Sequence, residues 1–122
     1  MIHIGTKLLV ADNSGAKEVQ CIKILGNSKK KYANITDKIV ITVKKTVTPN
    51  KIKEGNVCNG IVIRTKVGIK RNNGFFFKFF DNSVILINKQ EELIGTRIFG
   101  IVPREFKTTR YYKIISLASE IV

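Results

Sequence analysis

GIVIRTKVGIKRNNGFFFKFF, residues 60 to 80, runs from an apolar stretch through four cations in the eight residues Arg64 to Arg71, then Asn72-Asn73-Gly74, then five phenylalanines interrupted once by lysine. Asn-Gly between two strand-forming runs is the strongest short hairpin signal, because a tight hairpin turn needs positive φ at its central positions. The stretch therefore predicts a β-hairpin over about residues 61–80. Strand alternation puts Arg64, Lys66, Gly68 and Lys70 on one side of the rising strand and Thr65, Val67 and Ile69 on the other. On the falling strand Phe75, Phe77 and Phe79 share a face opposite Phe76, Lys78 and Phe80. Phe77 and Phe79 are expected to pack across the hairpin against Val67 and Ile69. Phe75 and Phe76 have no obvious partner within the chain. Stacking on RNA and burial against a neighbouring protein both stand as readings for them.

Outward from the hairpin, short strands alternate with turn signals, and no helical stripe occurs before residue 100. Thr6 to Ala11 is stopped by Asp12-Asn13-Ser14-Gly15, a turn sequence. Ala16 to Leu25 resumes and ends at Gly26-Asn27-Ser28. Lys38 to Val47 alternates, with Ile39, Ile41 and Val43 on one face. A polar loop with Lys51, Lys53, Glu54 and Gly55 leads into Val57 to Arg64. Ser83 to Ile87 is short and almost wholly apolar, and Gly95 to Gly100, GTRIFG, is a further strand between glycines. About six strands at near-regular spacing predict an all-β fold, a small β-barrel. Past Pro103 the pattern changes to two short helical turns, one carrying Glu105 and Phe106. The other is capped by Thr108 or Thr109 and contains Tyr112, Ile115 and Leu117. One domain is expected over residues 1–122, with the barrel to about residue 100 and a helical tail over about 103–118.

Twenty-two Lys and Arg against nine Asp and Glu leave a net charge of +13, which implies a polyanionic partner, either nucleic acid or an anionic membrane surface. Uninterrupted apolar stretches such as Val84 to Ile87 fall far short of the roughly 20 residues of a spanning helix. The first dozen residues reach turn signals too soon for a secretory signal. Cys21 and Cys58 are expected to be two buried thiols in a reducing compartment. His3 is the only histidine, so neither a zinc site nor a histidine-based dyad can be assembled. With no glycine-rich phosphate loop and no acidic cluster beyond Glu91-Glu92, no enzymatic activity, cofactor or metal is expected. Nineteen Ile and ten Asn, with Lys outnumbering Arg seventeen to five, fit A+T-rich codons and hence the genome of an organelle or a reduced bacterium.

ADNSGAK (Ala11 to Lys17), CIKILG (Cys21 to Gly26), GIVIRTK (Gly60 to Lys66), GTRIFG (Gly95 to Gly100) and KIISLA (Lys113 to Ala118) resemble the universal large-subunit ribosomal protein family numbered fourteen, in its bacterial and organellar form. The family signature spans the hairpin: Gly60, Ile61, Val62 and Ile63, nine residues, then Asn73-Gly74, an aromatic at Phe79, Asn82, and an aliphatic pair. Departures are Ile85 in place of valine, Asn27 in place of a second glycine, Ser119 in place of a proline, and Phe75 to Phe77, where relatives carry smaller or more polar residues.

The resemblance implies a five-stranded barrel with a projecting β-hairpin and a short C-terminal helical segment. It implies a structural constituent of the large ribosomal subunit that binds large-subunit rRNA and lies at the interface with the small subunit, supporting translation without catalysis. The implied partners are large-subunit rRNA, small-subunit rRNA across the interface, the third and nineteenth large-subunit proteins and the ribosome silencing factor, with no membrane. The implied location is the ribosome of an organelle, in the mitochondrial matrix or plastid stroma, otherwise that of the bacterial cytoplasm. Phosphate contacts are expected from Lys29, Lys30, Lys31, Lys44, Lys45, Lys51, Lys53, Arg64, Lys66, Lys70 and Arg71. Thr96, Arg97 and Lys113 align with the family surface at the subunit interface that accepts the silencing factor. Gly95 and Gly100 there would let another backbone approach closely. The plainer reading of Arg97 is an ion pair with Glu105 or Glu92. The alternative to the whole assignment is a free single-stranded nucleic-acid-binding β-barrel, which requires aromatics spread over several strands of one face rather than gathered in one hairpin.

Overall fold

Five of the predicted strands close into a barrel in the computed structural model, which describes residues 1–26, 31–48 and 51–122. They are β1 (Lys7–Val10), β2 (Ala16–Ile24), β3 (Lys38–Thr46), β4 (Val57–Arg64) and, beyond the hairpin strands β5 (Ile69–Lys70) and β6 (Phe76–Phe77), β7 (Ser83–Ile87). Around the barrel, β1-β2-β3-β4-β7, neighbours are antiparallel until the last gap. There β1 and β7 run parallel, with Leu9 opposite Ser83 and Val10 opposite Val84. Closure removes the exposed edge that an open sheet would offer to other chains. Two consecutive outward residues at Lys17-Glu18 and again at Ile22-Lys23 accompany register shifts in β2, as an extra residue in a strand requires.

The core has two parts. Leu8, Val19, Cys21, Ile39, Ile41, Val43, Val62, Val84 and Leu86 fill the barrel. The other faces of β4 and β7 supply Ile61, Ile63, Ile85 and Ile87 to a second cluster with Ile98, Val102, Phe106 and Ile114. This explains the unbroken apolar run in β7, since a strand buried on both faces has no reason to alternate. The thiols are free, Cys21 buried and Cys58 half-buried, where burial and then the Asp12 carboxylate push the Cys58 thiol up to about 11.

GTRIFG differs from its expected role. Its strand, β8 (Ile98–Val102), lies outside the barrel and pairs in parallel with β9 (Ala118–Ile121). The tail between them holds a 3-10 turn, Arg104–Thr108, and one helical turn, α1 (Lys113–Leu117). Neither Thr108 nor Thr109 caps α1, which begins after Tyr112. Phe106 and Ile114 are fully buried and fasten the tail to the barrel.

β4 and β7 approach closely at Gly60, where an added Cβ would lie 2.6 Å from Val84 Cγ2 and 3.2 Å from the Ile85 carbonyl oxygen. Gly60→Ala should therefore cost about 1–3 kcal/mol of stability. It should lower the urea midpoint at unchanged slope. An unchanged midpoint would mean that the two strands stand farther apart.

Candidate nucleic-acid interface

The outer wall of the barrel places Lys7 of β1 opposite Gln20 of β2, and Leu9 opposite Glu18. Glu18 in turn faces Lys45 of β3, and their side chains form an ion pair of 3.1 Å. Two shallow depressions share Lys7 and Glu18. One, of about 300 Å³, reaches Lys44 and Lys45; the other, of about 230 Å³, reaches Lys66, Phe80, Asp81 and Asn82 at the base of the hairpin. Together they form a groove from β3 across β2 and β1 to the hairpin. Both carboxylates in its wall have cation partners, Glu18 with Lys45 and Asp81 with Arg64. Lys7, Lys44 and Lys66 are exposed and make no carboxylate pair among the described residues. A surface of this kind attracts phosphate, because the cations already face solvent and carry no competing anion.

Arg64 and Arg71, also expected as phosphate contacts, are both engaged within the chain. The Arg64 side chain is 11% exposed. Its Nε donates to Asp81 Oδ1 at 3.0 Å, its Nη1 to the carbonyls of Phe99 and Ile101 at 3.0 Å each, and its Nη2 to Ser83 Oγ at 3.1 Å. Gly100 leaves the room this guanidinium occupies. Arg71, 13% exposed, donates to Glu105 Oε1 at 2.6 Å and to the Val122 carbonyl, and lies 4.3 Å from the centre of the Phe77 ring. The planar fork of donors suits both arginines to tie the hairpin to the tail, because it spreads over acceptors too far apart for the three donors on a single lysine nitrogen. The sequence held only a faint signal for this, two arginines among lysines, because their partners lie far along the chain.

The remaining cations are distributed more widely. Lys70 is exposed beside Phe76, its partner across the hairpin. Lys51 and Lys53 flank buried Ile52 in the β3–β4 loop, and Lys31 is exposed next to Tyr32. Lys29 and Lys30 lie outside the described residues. Lys7, absent from the expected phosphate set, occupies an outward position of the first alternating run.

Hairpin alternation holds from Phe76 to Phe80 and fails at Phe75, which is exposed although it was expected to share the face of Phe77 and Phe79. Phe77 lies opposite Ile69, and Phe79 packs on the second core cluster. Phe75 and Phe76 are 63% and 51% exposed, the latter with Lys78 Nζ 5.5 Å from its ring centre. Phe80 is fully exposed.

Sharing no residue with the groove, a cleft of about 840 Å³ is lined by Glu91, Thr96, Arg110, Tyr112 and Lys113 among others. Glu91 pairs with Lys38 and with Arg110, each at 2.6 Å, and the hydrogen bond from Lys38 leads the effects that hold its carboxyl below the usual range. Asn13 orders the cleft rim: its Oδ1 accepts the N–H groups of Thr96 at 2.8 Å and Arg97 at 3.2 Å. The space that Gly95 leaves is filled by Asp12 and Asn13 of the same chain rather than by another backbone. Thr96 and Lys113 thus share one cleft. Arg97 is not part of that lining; its guanidinium lies 5.6 Å from the Phe99 ring centre, and Glu105 is already paired with Arg71.

Arg64→Lys should lower stability by about 1–3 kcal/mol, since several acceptors, most of them part-buried, lose their donors. Lys66→Gln, two residues on, should stay within about 0.5 kcal/mol of the parent. Urea denaturation of the two variants distinguishes a structural arginine from a surface lysine, and equal midpoints would contradict the assignment.

The family model described as Ribosomal protein L14p/L23e matches residues 1–122, the whole chain.

Proposed function

From the membership of this chain in the ribosomal protein L14p/L23e family, which makes it a structural constituent of the large ribosomal subunit, we infer that the lysine groove binds large-subunit rRNA and that the cleft face lies toward the small subunit. The observation that carries the first half is the groove of Lys7, Lys44 and Lys66, unpaired beside two carboxylates that are both occupied. Lys31, Lys45, Lys51, Lys53 and Lys70 extend the charge around the barrel, as suits a protein embedded among phosphates on several sides. The second half is supported by the separate position of the cleft, whose rim holds Thr96 and Lys113 with Arg97 next in sequence. That face would meet small-subunit rRNA or the silencing factor, and the third and nineteenth large-subunit proteins would be its neighbours in the particle. The compartment that fits the lysine- and isoleucine-rich composition is an organelle, with a bacterial cytoplasm as the other home. The protein would act by binding and holding RNA, without chemistry of its own.

Replacing Lys7, Lys44 and Lys66 together by glutamine should reduce the slope of log affinity for large-subunit rRNA against log salt by about two to three units, roughly one for each phosphate that is no longer neutralised. A triple variant with the parental slope would remove the groove from the interface.

Replacing Arg97 and Lys113 by glutamate should leave incorporation into large subunits intact, as judged by co-sedimentation, while reducing subunit joining or factor docking. Failure of the double variant to enter large subunits would instead make this face an rRNA anchor.

A further inference from the structure

We propose that Phe80 is a stacking platform for one unstacked nucleotide of the bound RNA, with the phosphate of that nucleotide held by Lys7 and Lys66. The proposal rests on the reading of the groove as an rRNA-binding surface and adds a specific ligand position to it. Phe80 is the most exposed large apolar side chain among the described residues, at 102% relative exposure, so its ring gives nothing to the core. Its place distinguishes it from the exposed rings at the hairpin tip. It lines the lysine-bearing depression with Lys7, Lys66 and Asn82, and equally a second recess of about 350 Å³ walled by Phe77, Phe79, Gly100 and Ile101. The ring therefore stands between a cationic hollow and an apolar one.

That pairing of surfaces matches the two halves of a nucleotide. A base offers a flat apolar face to an aromatic ring, and its phosphate, a few bonds away, needs a cation. The backbone under the site is fixed. Lys66 N–H donates to Asn82 Oδ1 at 2.9 Å, and Leu9 N–H to the Asn82 carbonyl at 3.0 Å, so Lys66, Phe80 and the end of β1 are held against one another. The two carboxylates of this hollow, Asp81 and Glu18, are paired with Arg64 and Lys45 and so repel a phosphate little. An apolar peptide would match the recess and leave the lysine hollow unfilled. RNA matches both.

The test uses the full chain and purified large-subunit rRNA, with binding titrated over a range of salt. Phe80→Ala should weaken binding roughly tenfold, as loss of one stacked base does, without changing the salt slope. Phe80→Trp should restore the affinity. Lys7→Gln with Lys66→Gln should instead flatten the slope. If Phe80→Ala binds like the parent while the lysine pair weakens binding, stacking is wrong and the RNA-binding groove stands. If neither variant changes affinity or slope, the groove reading itself fails. If Phe80→Ala binds rRNA normally but enters assembled subunits poorly, the ring is covered by a neighbouring protein and the proposal is overturned. Because the ring has no packing role, the alanine variant is expected to fold like the parent.

Discussion

The parallel seam between β1 and β7 is the constraint on which the other features depend. Leu9 and Ala11 donate to the carbonyls of Asn82 and Val84, and where β1 stops, the Asp12 carboxylate continues the ladder by accepting the Leu86 N–H at 3.0 Å. Its other oxygen accepts from the Ser14 backbone N–H and hydroxyl at 3.1 and 2.6 Å. A buried carboxylate is tolerable only when its lone pairs are filled by donors, and this one has three. The next residue, Asn13, grips Thr96 and Arg97, and the Phe99 N–H donates to the Ala11 carbonyl at 2.6 Å. One short turn thus closes the barrel and sets the rim of the cleft. The same seam, through Asn82, fixes the foot of the hairpin.

Charge is divided by residue type as well as by place. Asp12, Asp37, Asp81, Glu18, Glu91 and Glu105 all have hydrogen-bonded or ion-paired partners within the chain. Most of the nine acids are therefore engaged within the chain, two of them with Lys38 and Lys45, and the other lysines outside are left with little to neutralise them. The mutual repulsion of so many surface cations weakens the free protein and is relieved on contact with a polyanion. Electrostatics would in this sense couple the fold to a polyanion bound at the groove, even though the groove lysines contribute nothing to the core.

The barrel strands were legible because each obeys a local rule. β3 alternates, β7 is apolar throughout, and Asn73-Gly74 marks the reversal of the hairpin. What could not be read was set by distant partners. Arg64 looks like any surface cation until Asp81 and the carbonyls of Phe99 and Ile101 are brought to it, and Arg71 likewise needs Glu105. β8 was legible as a strand, but its parallel partner β9 was hidden: KIISLA has helical spacing, and no glycine or proline marks the change to extended backbone at Ala118. Lys44, Lys45 and Lys66, which line the two depressions, were among the cations picked out in the sequence. Lys7 was not, because a single lysine in a short strand acquires meaning only when β1 lies beside the hairpin.

Closing a barrel between Leu9 and Ser83 joins positions more than seventy residues apart, and this sets an order of events during synthesis. β1, β2 and β3 can pair as soon as they emerge, but β1 keeps an open edge until β7 has been made. Contacts of such sequence separation form slowly, because the entropy of bringing the ends together precedes any gain from joining them. A nascent chain of about eighty residues therefore exposes unpaired backbone on β1 and, on β4, the isoleucines that the tail later covers. That intermediate is the stage at which the protein is most open to mispairing with other chains.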